Sequence, residues 1–171
     1  QLTPSGYPRE VWLMQRGQSF DEAQAIFRQP ENGVMVNAWR YLDPQGAPID
    51  LIESASSFFQ KTYYQVGKTG DIQALALPSD ADIAGYIAGQ LIVQLKTAWH
   101  RANQSYAAGS LIAVKLNKGM LGEAFCLITP NAQQAIASVE TTRRFIIANL
   151  LDNVSGSLKA WQWQNGAWHE A

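Results

Sequence analysis

Apolar or alternating runs recur along this chain, each short and each cut off by Gly, Pro, Asn or Asp. That punctuation points to strands joined by turns. Residues 10–16 run extended to Gly17, and residues 23–28 alternate small or apolar with polar until Pro30 halts them, so the two read as neighbouring strands. Residues 34–41, 49–59, 61–66 and 72–77 follow, with Asp43-Pro44-Gln45-Gly46 and Gly67-Lys68-Thr69-Gly70 between them and Pro78 at the end. Both separators suit turns, because proline presets the second turn position and glycine tolerates positive φ.

The order then repeats. Residues 81–87 turn at Gly89 into residues 91–99; a long loop through Tyr106 leads to residues 110–116; Asn117-Lys118-Gly119 turns the chain into residues 124–129 before Pro130. A further unit takes residues 134–139, a turn near residues 140–143, then residues 144–150, 152–156 and 158–163, and Asn165-Gly166 before the last run. Asn-Gly between alternating residues is the strongest short-range hairpin signal. Four strands every ~40 to 50 residues is the spacing of a β-propeller blade, which must stack on neighbours to bury its faces. The expected fold is therefore all-β: a partial β-propeller of about three and a half four-stranded antiparallel blades. Residues 1–30 would form a half blade, and residues 31–78, 79–130 and 131–171 one blade each, within a single region that has no linker.

Residues 131–153 and 82–103 also carry spacings that suit an amphipathic helix. Punctuation argues for strands there as well. Gly85 and Gly89 interrupt one segment, and Val139, Thr141 and Thr142 would lose side-chain freedom in a helix at the other.

Composition narrows the function classes. Charged residues make up 16% and the net charge is −1, so neither nucleic acid nor an anionic membrane surface is an expected partner. No window reaches the ~20 apolar residues of a membrane helix, and a soluble domain is expected. The chain starts at Gln1 without a signal-like segment, which reads as a mature form or an excised piece. The single Cys126 excludes an internal disulfide framework and a cysteine zinc cluster.

Catalytic machinery is not visible, and no catalytic, cofactor-binding or metal-ligating residue is assigned. Gly-x-Ser-x-Gly does not occur, and the two histidines, His100 and His169, read as exposed strand-end residues. Cys126 lies in the apolar run Ala124-Phe125-Cys126-Leu127-Ile128 and is expected in the core. Asp80 and Asp82 lack calcium-loop spacing and read as a turn or strand-entry pair. Gly67-Lys68-Thr69-Gly70 and Gly119-Met120-Leu121-Gly122 lack the phosphate-loop pattern and read as hairpin turns. Asn103-Gln104-Ser105 and Asn153-Val154-Ser155 match the glycosylation sequon, a pattern too short to carry weight. Trp161, Trp163 and Trp168 are expected to pack between strands, since the cations that would accompany a base-stacking platform are scarce.

Three stretches carry a resemblance. Ser5-Gly6-Tyr7-Pro8-Arg9 with Gln15-Arg16-Gly17 and Asp21-Glu22-Ala23, then residues 106–113, then residues 149–158 resemble the propeller domain of bacterial prolyl oligopeptidase family serine peptidases, and the likeness spans essentially the whole chain. The resemblance implies a piece of a seven-bladed propeller that caps an α/β-hydrolase domain, where the Ser, Asp and His of the triad reside. It also implies steric work, admitting short proline-containing peptides while excluding folded proteins, with the hydrolase domain and the remaining blades as partners. No cofactor follows from it.

An open stack would leave apolar blade faces bare, and self-association through them is expected, two copies totalling roughly seven blades. Two other readings stay open: a propeller serving as a protein-interaction scaffold without a hydrolase, and a mixed helical domain built on residues 82–103 and 131–153.

Overall fold

The computed structural model describes residues 1–43 and 46–171, so the central pair of the Asp43-Pro44-Gln45-Gly46 turn lies outside the described residues. Among the described residues, sixteen strands account for the regular structure, with one 3₁₀ turn at Phe20–Glu22. β1 (Glu10–Leu13) and β2 (Gln24–Arg28) form a two-stranded sheet. β3 (Met35–Tyr41), β4 (Ile49–Ala55), β5 (Lys61–Val66) and β6 (Ile72–Ala74) pair in chain order as an antiparallel meander. β7 (Asp82–Ile87), β8 (Gln90–Gln94), β11 (Leu111–Asn117) and β12 (Met120–Ile128) form the next sheet, ordered β12-β11-β8-β7. Between β8 and β11 the chain makes a separate hairpin of β9 (Trp99–Arg101) and β10 (Gln104–Tyr106). β13 (Gln134–Thr141), β14 (Phe145–Asp152), β15 (Ser155–Gln164) and β16 (Ala167–Glu170) complete a third four-stranded meander.

The all-β expectation holds, including in both segments whose propensity favours helix. Burial alternates along β14, where Ile146, Ala148 and Leu150 are buried while Phe145, Ile147 and Asn149 are half-buried. That period of two belongs to a strand with apolar residues on both faces, as stacked sheets require. The connections are tight. Two residues suffice at Asn165-Gly166, whose φ values of 51° and 80° fit the turn type that continues strand twist. The same conformation occurs at Ala88-Gly89, with Ala88 at φ 53°, a turn whose first position carries no sequence signature.

Four strand or turn assignments need correction. The long loop through Tyr106 is the β9–β10 hairpin, turned by Ala102 at φ 40°. The run 49–59 ends as a strand at Ala55, and the run 91–99 breaks after Gln94. Gly119-Met120-Leu121-Gly122 is not a turn: Lys118 and Gly119 turn the chain and β12 begins at Met120.

The chain falls into two compact units, one of Gln1–Tyr41, Pro48–Ser79 and Lys118–Met120, the other of Leu42–Ala47, Asp80–Asn117 and Leu121–Ala171. In the first, Val36, Ile52 and Val66 form a buried cluster on which Val11, Ile26, Phe27 and Tyr64 pack. In the second, Ile87, Ile92, Leu111 and Ala113 meet Ile136, Ile146, Ala148, Leu150 and Trp161. Each fully buried Leu or Ile contributes about 1.5–3 kcal/mol of apolar transfer. The two facing sheets of this unit are also stitched by polar contacts, Gln94 Nε2 donating to the Ile136 carbonyl at 3.3 Å and Trp168 Nε1 to Gln90 Oε1 at 3.0 Å.

Candidate functional site

The residues with chemical potential are dispersed. His100 is exposed on β9, and strand register sets it opposite Ser105, with Nδ1 2.8 Å from Ser105 Oγ. A hydrolase arrangement has the opposite polarity, with Nε2 on the serine and a carboxylate on Nδ1. His169 is exposed on β16 across from Gln162. Among the described residues no group of three His, Cys, Asp or Glu side chains could hold a metal ion. Asp80 accepts from Thr97 Oγ1 at 3.2 Å and Asp82 pairs with Lys96 Nζ at 2.9 Å, which makes them a strand-entry pair.

Cys126 is exposed, not in the core. The reason is the face of β12 it occupies: Phe125 and Leu127 on either side of it pack against the core cluster, and alternation sends Cys126 to the opposite face. Ala124, two residues earlier on the same side of the strand, is buried, and its carbonyl accepts from the Tyr106 hydroxyl of the β9–β10 hairpin at 3.1 Å; Cys126 stays exposed, with Thr129 Oγ1 3.3 Å from its Sγ.

The second unit contains an open cleft of about 310 Å³ lined by Asp43, Gly46, Tyr86, Ala88, Gly89 and Trp163. Its polar wall is built from a turn and a carboxylate, because Gly89 donates its backbone N–H to Asp43 Oδ2 at 2.8 Å. Burial pushes the Tyr86 phenol above its ordinary pKa, and the Asp43 charge adds to the shift. The aromatic wall continues as a cluster: Trp163 lies 5.3 Å from Trp168 and 5.4 Å from Phe125, ring centre to ring centre, with Lys115 Nζ over both Phe125 and Trp163. Packing between strands is therefore what Trp161, Trp163 and Trp168 do, Trp161 being 4% exposed. The first unit has its own groove of about 210 Å³ under Trp12, Trp39, Ile26 and Leu51, with the two-pronged Arg40–Asp50 ion pair, 2.7 Å at each prong, at its rim. Among the described residues that line them, neither hollow contains a serine, cysteine or histidine.

Burial also raises the pKa of Tyr41 and of Tyr106. A raised folded-state pKa means the folded chain holds the phenolic proton more tightly than the unfolded chain. Stability is then complete below the unfolded tyrosine value of ~10 and declines as pH rises through the folded values. Alkaline titration followed at 295 nm and by far-UV circular dichroism is expected to show Tyr41, Tyr86 and Tyr106 ionising together with loss of strand signal above pH ~10. Ionisation of all six tyrosines before any loss of structure would refute the burial argument.

One functional-looking element was missed in the sequence. Arg101 stacks over Trp99 at 4.9 Å and donates to the carbonyls of Leu121 and Gly122 at 2.9 and 2.7 Å, pinning the β9–β10 hairpin onto the start of β12. The alternation Trp99-His100-Arg101 and Gln104-Ser105-Tyr106 around a two-residue gap was its available signal.

No family model matches the chain. An uncharacterized peptidase of Sinorhizobium fredii is 27% identical over 98% of the chain, which corresponds to 24% of that protein. An uncharacterized peptidase of Rickettsia prowazekii is 24% identical, again over 98% of the chain and 24% of its own length. Among solved structures, a post-proline cleaving enzyme from Rickettsia typhi superposes with a TM-score of 0.86 at 23% identity, over 98% of this chain and 26% of that enzyme. The chain shares the fold of that quarter of the enzyme. The neighbour bears out the likeness to a prolyl oligopeptidase propeller read from the sequence and the partial-propeller expectation. The chain spans about a quarter of the length of each of these proteins.

Proposed function

We propose that this chain is the noncatalytic propeller portion of a post-proline cleaving serine peptidase of the prolyl oligopeptidase type, and that its work is to limit the enzyme's substrates to short peptides. The observation carrying this is the near-complete superposition of the chain on one quarter of such an enzyme. Its remaining blades and its hydrolase domain belong, in this reading, to the rest of the same polypeptide. The chemistry of the described residues fits an accessory role: four-stranded antiparallel sheets with apolar residues packed against them and tight turns make stiff walls, and no serine, histidine and carboxylate come together in a hydrolytic arrangement among them. Stiff walls discriminate by size, because a folded protein would have to unfold before its proline bond could pass, whereas a short peptide crosses unhindered.

The test uses the intact polypeptide that carries this chain. A short chromogenic peptide with proline before the scissile bond is expected to be cleaved, and the same sequence placed in a loop of a folded protein is expected to resist. Equal cleavage of both would remove the size-filter role. Failure to cleave either would leave the interaction-scaffold reading in its place.

A further inference from the structure

β1 and β2 form a sheet of two strands, whereas the three larger sheets hold four each. One open edge of the small sheet is the outer side of β1. Gln29 donates its backbone N–H to the Arg9 carbonyl at 2.9 Å, immediately before the Glu10–Arg28 pair. In an antiparallel ladder a pair flanked in this way exchanges no backbone hydrogen bond of its own, so the N–H and C=O of Glu10 point away from β2. An open row of this kind is a template for another strand.

The course of the chain points to which strand. Residues 2–8 reverse direction: Leu2 bridges Pro8 in antiparallel fashion, Thr3 donates its N–H to the Tyr7 carbonyl at 2.8 Å, and Arg9 donates its N–H to the Gln1 carbonyl at 3.2 Å. Gln1 is therefore already paired alongside the entry to β1, and its backbone nitrogen lies 3.1 Å from Glu10 Oε2. Chain joined to that nitrogen enters beside Glu10 and runs antiparallel to β1. The groove of about 210 Å³ borders the same strand, being lined by Val11, Trp12 and Leu13 of β1 together with Trp39 and Leu51 of the four-stranded sheet. Trp12 is 46% exposed there.

We propose that the residues directly preceding Gln1 form a strand that pairs antiparallel with the outer edge of β1 and lays apolar side chains into this groove against Trp12. The proposal rests on the reading of the chain as one portion of a longer polypeptide, but no part of it involves peptide cleavage.

Hydrogen exchange of the intact polypeptide, resolved to single amides, reads the edge directly. The Glu10 amide is expected to exchange slower than in the unfolded chain by on the order of tenfold or more, whatever the protein concentration. A smaller protection would overturn the proposal, and protection that vanishes on dilution would overturn it in favour of a second copy pairing at the edge. A second arm replaces Cys126 with serine, introduces Leu13→Cys, and places one further cysteine in turn at each of the residues before Gln1 over a strand's length, about six. Among variants whose far-UV spectrum is unchanged, mild oxidation is expected to cross-link one position, or two positions two residues apart, several-fold faster than the others, because alternate side chains of a paired strand share a face. Cross-linking that is uniform along the segment, or absent throughout, counts against a paired strand. If the edge is covered while the proline-containing peptide is not cleaved, the strand stands and the proposed function falls; cleavage with an uncovered edge separates them the other way.

Discussion

Trp161→Ala is expected to cost the chain about 3–5 kcal/mol, the range for deleting a buried tryptophan or phenylalanine side chain. Trp161 is 4% exposed, sits across from Ile146 in the β14–β15 register, and belongs to the cluster that joins Ile87, Ile92 and Leu111 to Ile136 and Leu150. Strand-paired neighbours cannot collapse into the space without giving up ladder hydrogen bonds, so the cavity stays largely open and the upper part of the range applies. Urea titration gives the magnitude. Hydrogen exchange locates it, with loss of protection concentrated in β7, β8 and β11 through β16. Trp161→Phe, which retains a ring, is expected to lose clearly less. A cost below about 1 kcal/mol for the alanine variant would mean that the two sheets of the second unit do not depend on this cluster.

The second large effect comes from overpacking. Gly85 is buried on β7, and a Cβ there would collide with Thr141 Cγ2 and lie 3.0 Å from Thr141 Oγ1, in the neighbouring strand β13. Threonine is β-branched and stiff at χ1, so the side chain cannot swing aside freely, and one of the two strands must move. Gly85→Ala is therefore expected to destabilise by about 1–3 kcal/mol although it adds a single methyl group. In a Thr141→Ala background the obstructing atoms are gone and only the Thr141 Cβ, at 3.3 Å, remains close. The cost of Gly85→Ala should then fall by at least half, giving a coupling energy on the order of 1 kcal/mol in a double-mutant cycle. Additive behaviour of the two substitutions would contradict the close approach of β7 and β13.

Much of this architecture could be read from residue order. Pro30, Pro78 and Pro130 end runs that are strands or strand-like in the structure, and Asn165-Gly166 turns β15 into β16 as its chemistry demands. These signals are local: proline lacks an N–H and glycine lacks a Cβ wherever they occur. The repeat of four strands was legible for the same reason. Ala102 and Ala88 carried no such mark, since alanine takes positive φ only when the surrounding pairing holds it there, and so the β9–β10 hairpin looked like a loop.

Site features were less legible. Cys126 sits in an apolar run, and nothing in that run shows which of the strand's two faces will be covered. The cleft beside Tyr86 needs Asp43, which reaches the Gly89 N–H from 46 residues away in the chain. Phe58 and Phe59 look like the end of a strand, and only the turn hydrogen bonds of Ser57 show that they leave the sheet.

What residue order determined, then, is that the chain is a series of short strands grouped mostly in fours, with many of the turns marked, because turn chemistry and alternation act over a few neighbouring residues. Which strand lies at a sheet's edge, which glycine faces a threonine on another sheet, and which aromatics are covered or bare were decided by tertiary packing, because each depends on groups that meet only after distant segments have stacked.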